Sequence, residues 1–277
     1  MTNNIEYFPV VHPSDRYMDM KNAINDNIDK IDSLTSDINQ ADMILVLGGD
    51  GYMLEVIKKY AHIGKPFLGV NCGTLWFLMN NITIMDDIPL SLDDLSIRTA
   101  KFIKAEIEFE DGSRKIAYAA NDICLGNSVL DYYNFDMKLA PHKAAEYNMH
   151  DAIESENSDD INIKGTWLVI SNNFGSTSYR LSLGGPLIPT SSDLIWVIGI
   201  WALPYRFKLF KPQSIKIEIS WKSNCLAGFD GYSGRYENVK SINILESDLT
   251  YDIAFLKSQP IETKRILMAE SKIGYNL

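Results

Sequence analysis

Cysteine and histidine are scarce in this sequence, and the few present stand apart: Cys72, Cys124 and Cys225, with His12, His62, His142 and His150. Three widely spaced cysteines without a Cys-x-x-Cys pair exclude a disulfide framework and a thiolate zinc site, and we expect them to be core thiols. The histidines lack ligand spacing and no His-Glu-x-x-His occurs, which excludes a dedicated transition-metal site. Positive charge is also short: 26 Lys and Arg stand against 36 Asp and Glu, a formal charge of −10. With an isoelectric point near 4.9 and no dense basic stretch, nucleic acid is excluded as the main partner, although backbone N–H groups can still bind small phosphates. The longest nearly apolar run, Leu194 to Tyr205, falls well short of the ~20 residues of a membrane-spanning helix, so no membrane partner is expected. Met1 to Ile5 carry neither a basic start nor an apolar core, and the expected compartment is the cytoplasm. Neither Gly-x-x-x-x-Gly-Lys-[Ser/Thr] nor Gly-x-Gly-x-x-Gly is present, which disfavours a P-loop protein and an ordinary dinucleotide-dependent dehydrogenase.

What is there is an ordinary globular balance, 46% hydrophobic and 22% charged over 277 residues, enough for one large or two smaller domains. The first part alternates strand and helix signals: Ile5–Val11, a polar helical stretch from Asp15 to Ile31, then the apolar run Met43–Leu47. Beyond it, Met53, Val56, Ile57, Tyr60 and Ala61 share a helical face, and Gly64 with Pro66 closes that helix before a strand at Phe67–Val70. From Lys101 the period becomes two. Ile103, Ala105, Ile107 and Phe109 alternate with polar neighbours, and Asp111-Gly112 marks a hairpin. Ile215, Ile217 and Ile219 alternate likewise, and Thr166–Ser171, Ile195–Ile200 and Val239–Leu245 are further short β-type runs. The acidic segment Asp151–Asp160 reads as a solvated loop.

Chemistry concentrates in three places. After the buried-type strand Met43–Leu47, Gly48-Gly49-Asp50-Gly51 opens a helix; glycines without Cβ atoms admit a phosphate to backbone N–H groups, and the helix directs its positive end there. Asp50, a carboxylate among phosphates, suits a proton acceptor for an attacking hydroxyl or a holder of magnesium. In the second place, Gly175-Ser176-Thr177-Ser178-Tyr179 continues to Ser182 and Gly184-Gly185-Pro186, offering short hydroxyls and one flat ring, a combination suited to a nucleoside with its phosphates. The third, Asn121-Asp122, presents an amide beside a carboxylate, for which the paired hydroxyls of a ribose are a natural target.

Together with Gly69-Val70-Asn71-Cys72-Gly73-Thr74-Leu75-Trp76-Phe77-Leu78 and the tail Lys264-Arg265-Ile266-Leu267-Met268-Ala269-Glu270, these segments resemble the NAD kinase family, compact bacterial members above all, over roughly residues 43 to 270. The resemblance implies an α/β plus all-β protein: a Rossmann-like N-terminal domain at 1–100, with 254–277 packing back on it, followed by a β-sandwich domain at 101–253 that binds dinucleotide. It implies transfer of the γ-phosphoryl of ATP, accompanied by Mg²⁺, to the adenosine-ribose 2′-hydroxyl of NAD, with NADP as product. Asp50 matches the family's catalytic aspartate. Gly49 and Gly51 would line the phosphate path, Asn121 and Asp122 match the Asn-Glu dinucleotide pair, and Thr177, Ser178, Tyr179 and Ser182 match the substrate loop. The chain departs from the family at Tyr52, where Thr is usual, at Asp122 for Glu, at Thr166-Trp167 near the usual Asp-Gly, and at Asn173-Phe174-Gly175 for Pro-Thr-Gly.

Two other readings remain open on the sequence. A lipid kinase of the diacylglycerol or sphingosine type would share the Gly-Gly-Asp-Gly turn but lack the string at Gly175–Ser182; a catalytically weakened NAD(P)-binding sensor would bind dinucleotide without turnover. A homodimer or homotetramer is also expected. Leu194–Tyr205 is apolar at nearly every position, so both faces need cover, and the resemblance favours another subunit for one of them.

Overall fold

The computed structural model describes residues 5–14, 18, 22, 33–71, 77–82, 88–89, 91–139, 160–177, 188–203, 207–210, 215–231, 234–245 and 247–273. Most of the expected helix at 15–31 and of the acidic loop at 151–160, together with Cys72, lies outside them; the last residue of that loop, Asp160, instead begins a strand. Two compact units emerge, Met1–Ala100 with Thr250–Leu277, and Lys101–Leu249.

The first unit is built on one sheet. β1 (Tyr7–Val11), β2 (Met43–Gly48), β3 (Phe67–Asn71), β4 (Leu95–Lys101) and β17 (Thr250–Leu256) lie in the order β1-β2-β3-β17-β4. The pairs β1–β2, β2–β3 and β3–β17 are parallel, and parallel neighbours need crossover connections. Helix α1 (Asp50–Tyr60) makes the crossover from β2 to β3 and buries Met53, Val56 and Ile57. A single 3₁₀ turn, Ala61–Ile63, follows it and ends on Gly64 at φ 74°, a left-handed conformation that costs glycine little. Every residue of β2 is buried, the mark of a strand covered on both faces. The return of the chain to this sheet begins at Thr250, four residues ahead of the expected 254, because β17 itself is a strand of the sheet. Helix α2 (Ile261–Ile273) follows it.

The second unit is a sandwich. One sheet has the order β6-β5-β16-β13-β8-β9, from β5 (Ile103–Phe109), β6 (Arg114–Ala119), β8 (Tyr133–Leu139), β9 (Asp160–Gly165), β13 (Ile215–Ser220) and β16 (Val239–Leu245). The other has the order β12-β11-β10-β7-β14-β15, from β7 (Asp122–Gly126), β10 (Trp167–Ser171), β11 (Ile195–Ile200), β12 (Phe207–Phe210), β14 (Leu226–Phe229) and β15 (Gly234–Tyr236). Alternation in β5 and β13 puts Ile103, Ala105, Ile107, Ile215 and Ile217 into one core with Ile123, Leu125, Leu168, Ile170 and Val197 of the facing sheet, the arrangement in which two half-buried sheets cover each other. Asp111-Gly112 does turn β5 into β6, with Gly112 at φ 82°. The chain passes from one sheet to the other at Ala120-Asn121, between β6 and β7, and that corner carries a candidate site residue.

One expectation is corrected here. Strand β11 needs no second subunit: Ile195 and Val197 face the sandwich core, while Trp196 and Ile198 pack with Val169 and Ile188 on the other side. The exposed apolar residues of that stretch are Trp201 and Leu203, past the strand's end.

Candidate active site

Asp50 is the first residue of α1, where a carboxylate complements the positive end of the helix. Its side chain turns away from the helix and accepts two backbone hydrogen bonds, from the Phe77 N–H to Oδ2 at 2.7 Å and from the Leu78 N–H to Oδ1 at 3.0 Å. Charge-assisted bonds of this kind are about twice as strong as neutral ones, and two of them fix the plane of a carboxylate. Phe77 and Leu78 are buried, and Asp50 is half-buried.

Among the described residues, nothing requires Gly49 or Gly51 to be glycine. Gly49, at φ −123° and ψ 178°, is extended backbone open to any residue. A Cβ added at Gly49 or Gly51 would meet no atom of the described residues within 4 Å. Gly48 differs, since a Cβ there would lie 2.9 Å from the Tyr52 ring. Tyr52, the residue that departs from the family, is thus accommodated by that glycine. Its hydroxyl donates to the Val11 carbonyl at 3.0 Å, its ring meets His12 edge-on at 4.7 Å, and burial raises its pKa. The departure ties the start of α1 to the end of β1.

The strip behind Asp50 rests on a residue that pattern reading passed over. Asn80 is 1% exposed; its Nδ2 donates to the carbonyls of Gly69 and Ala254, and its Oδ1 accepts from the Leu256 N–H. One amide therefore joins β3, β17 and the strip that holds Asp50. Lys264 of α2 adds a donor from its Nζ to the Met79 carbonyl. Burial lowers the Lys264 pKa to about 8, against the pull of the nearby Asp50 charge.

In the second unit, Asn121 and Asp122 sit at the corner before β7, and a third residue organises them. The Asp230 carboxylate accepts from the N–H groups of Ala120 at 2.8 Å, Asn121 at 2.6 Å and Asp122 at 3.2 Å, and the Asp230 N–H returns a bond to the Asp122 carbonyl at 2.9 Å. Asp230 takes φ 51° to do so, a left-handed conformation that Asp tolerates better than most residues. The Asp230-Gly231 pair signals a turn in the sequence, but nothing local reveals its three partners.

The same corner meets the start of the glycine and hydroxyl loop. The Ser171 Oγ donates to the Asn121 carbonyl at 3.1 Å, and Asn172 bridges the Ala120 carbonyl to the Phe174 and Gly175 N–H groups. A Cβ at Gly175 would lie 2.0 Å from the Ser171 Oγ and 2.8 Å from the Asn121 carbonyl, so this glycine is demanded by close approach. The Asn121 side chain is 4% exposed, and its Oδ1 has no hydrogen-bond partner among the described residues. Buried acceptors normally have one. Thr177 ends the 3₁₀ turn Phe174–Thr177; Ser178, Tyr179 and Ser182 lie outside the described residues. The remaining departures are absorbed into the fold: the Thr166 Oγ1 donates to the Ile200 carbonyl at 3.2 Å, and Trp167 fills the space beside Gly126. The thiols of Cys124 and Cys225 are pushed up by burial, Cys225 to about 12.

The ATP-NAD kinase N-terminal domain model matches residues 11–95. An NAD kinase of Rickettsia bellii is 28% identical over 239 residues, covering 83% of this chain and 86% of the relative. One of Caldicellulosiruptor saccharolyticus is 31% identical over 182 residues, covering 64% of this chain and 62% of the relative. The fold is that of an NAD kinase from Archaeoglobus fulgidus solved in complex with ATP, at a TM-score of 0.67 and 15% identity over 96% of this chain and 99% of that one. It is also that of a yeast NADH kinase complexed with NADH, at 0.66 and 17% over 95% and 87%. Kinases of this type thus match the chain across both units, and in fold and sequence together the chain is similar to the NAD kinase family.

Proposed function

We propose that this chain is an ATP-dependent NAD kinase, moving the γ-phosphoryl of ATP to the 2′-hydroxyl of the adenosine ribose of NAD. Asp50 takes the hydroxyl proton as the ribose oxygen bonds to the γ-phosphorus. The bond from that phosphorus to the β,γ-bridging oxygen breaks, and ADP leaves. The observation that carries this reading is the pairing of a carboxylate fixed by two N–H groups with flanking glycines, Gly49 and Gly51, whose missing side chains leave open space. A phosphate fits beside a helix start of that kind. Magnesium would arrive on the oxygens of ATP, as part of the substrate. The buried Asn121 Oδ1, with Asp122 beside it, supplies acceptors for NAD.

Incubation with MgATP and NAD, followed by detection of NADP with an NADP-specific dehydrogenase, tests the reading. Absence of NADP with retained NAD binding would favour the sensor. We place the protein in the cytoplasm; among the described residues no helix is long and apolar enough to cross a membrane. We also propose a homodimer or homotetramer. Its motive now rests on Trp201, Leu203 and Trp221, which are 67%, 70% and 60% exposed, with Lys164 paired to Leu203 and lying over the Trp221 ring. Light scattering should give a multiple of 31.3 kDa; a fully active monomer would remove the proposal.

A further inference from the structure

The strip from Phe77 to Asn80 is held from three sides within the first unit. The Phe77 and Leu78 N–H groups point to Asp50, the Met79 carbonyl accepts from the Lys264 Nζ, and Asn80 joins the strip to β3 and β17. All four residues of the strip are less than a tenth exposed. Backbone groups buried to that degree have no water to turn to, so they keep these partners or lose them at a cost. The path from α2 to Asp50 is therefore short: Lys264 Nζ to the Met79 carbonyl, one residue back to the Leu78 N–H, and from there to Asp50 Oδ1. Lys264 lies 185 residues from Met79 in the chain, so helix α2 closes on the site from the far end of the sequence.

We propose that Lys264 is a positioning residue for Asp50: by holding the Met79 carbonyl, its Nζ fixes the strip whose two N–H groups aim the carboxylate. The proposal rests on the reading of Asp50 as the acceptor of the ribose proton. Lys264 acts through the strip, and its positive charge near Asp50 favours the ionised carboxylate that the reaction needs.

The test compares wild type, Lys264→Met, Lys264→Arg, Asp50→Asn and the double variant, with melting temperatures and calorimetric NAD binding measured alongside. Lys264→Met should lower kcat roughly tenfold to a hundredfold, the scale on which a small misplacement of a reacting group acts, while KM for NAD and for ATP changes less than about threefold. Lys264→Arg, which keeps a donor and the charge, should recover most of that loss. In the Asp50→Asn background, Lys264→Met should cost less than about twofold more, because there is no longer a base to aim. A Lys264→Met variant with kcat within about threefold of wild type, or the same full loss in the Asp50→Asn background, would overturn the proposal and leave Lys264 as packing for α2. If Asp50→Asn itself keeps its rate, the reading of Asp50 fails and the proposal falls with it, a result distinct from either of those. Should Lys264→Met melt below the assay temperature, its kcat and that of wild type are compared at a temperature below both midpoints and read by the same criteria.

Discussion

The two units each carry a carboxylate bonded to successive backbone N–H groups, and they use it in opposite ways. In the first, Asp50 is the group to be aimed, and the rigid strip of Phe77 and Leu78 aims it. In the second, Asp230 is the holder, and the segment Ala120–Asp122 with its two candidate binding side chains is what it holds. The glycines follow the same division. Gly51 has open space where a side chain would be, whereas Gly175 is closed in by Ser171 and Asn121. On the proposed reading, one hydrogen-bond motif serves a reacting group in one place and a scaffold in the other.

That contrast can be broken most directly at the carboxylates. Asp50→Asn should lower kcat by about 10²–10⁴, the usual worth of general-base assistance, and, because its amide oxygen can accept from only one of the two N–H groups, should cost about 1–3 kcal/mol of stability. An Asn variant that keeps half the wild-type rate would remove Asp50 from the chemistry. Asp230→Ala should act mainly on stability. Losing one acceptor strands three backbone donors, and at ~1.5–3 kcal/mol for a hydrogen bond to a charged group we expect at least about 3 kcal/mol less stability in urea titration. Residual kcat at saturating NAD should stay near wild type; a collapse of kcat with full stability would put Asp230 in the reaction. Asp122→Ala should fall between them, weakening NAD binding by one to two decades, or ~1.5–3 kcal/mol, without unfolding. An unchanged dissociation constant would make Asp122 a corner residue only.

The glycines sharpen the comparison further. Gly175→Ala must overpack a closed corner and should cost about 1–3 kcal/mol. Gly51→Ala, in the first turn of a helix with open space beside it, should stabilise by about 0.5–1 kcal/mol while impairing phosphoryl transfer. Equal losses of stability from both would show that the open space at Gly51 is filled in solution.

A further effect is in pH. The folded-state pKa of Lys264 is lowered to about 8 from the ordinary 10.5, so from pH 8 to 10.5 the unfolded chain binds more protons than the folded one. Stability then rises with pH through that window, and below pH 8 the burial penalty is felt in full. Denaturation of wild type and Lys264→Met in parallel should show the wild type gaining on the variant between those limits; no relative change would mean that the lysine titrates alike in both states.

Much of the fold was legible because its signals are local. Five-residue apolar runs, a helical face at Met53, Val56 and Ile57, and the Asp111-Gly112 turn each depend on neighbours within a few positions. The Asp50 turn was legible for the same reason. The apolar stretch Leu194–Tyr205 misled because hydrophobicity records that a strand is covered and not by what. Here the same chain buries it, with Ile188 packed on Trp196 and Ile198. Tyr52 and Trp167 stood out as departures, and only packing against Gly48 and Gly126 showed how the fold takes them in.

By itself, then, the sequence determined two units of different secondary structure, the strand-turn-helix that presents Asp50, and the Asn121-Asp122 pair at the end of a strand. Tertiary structure alone decided what holds those groups. Asn80 works through partners as far as 176 residues away, Asp230 across 108 to 110, and Lys264 across 185. A side chain whose partner is that distant leaves no period or spacing in the sequence. Its role exists only once the hydrophobic sheets have brought the two ends of the chain together.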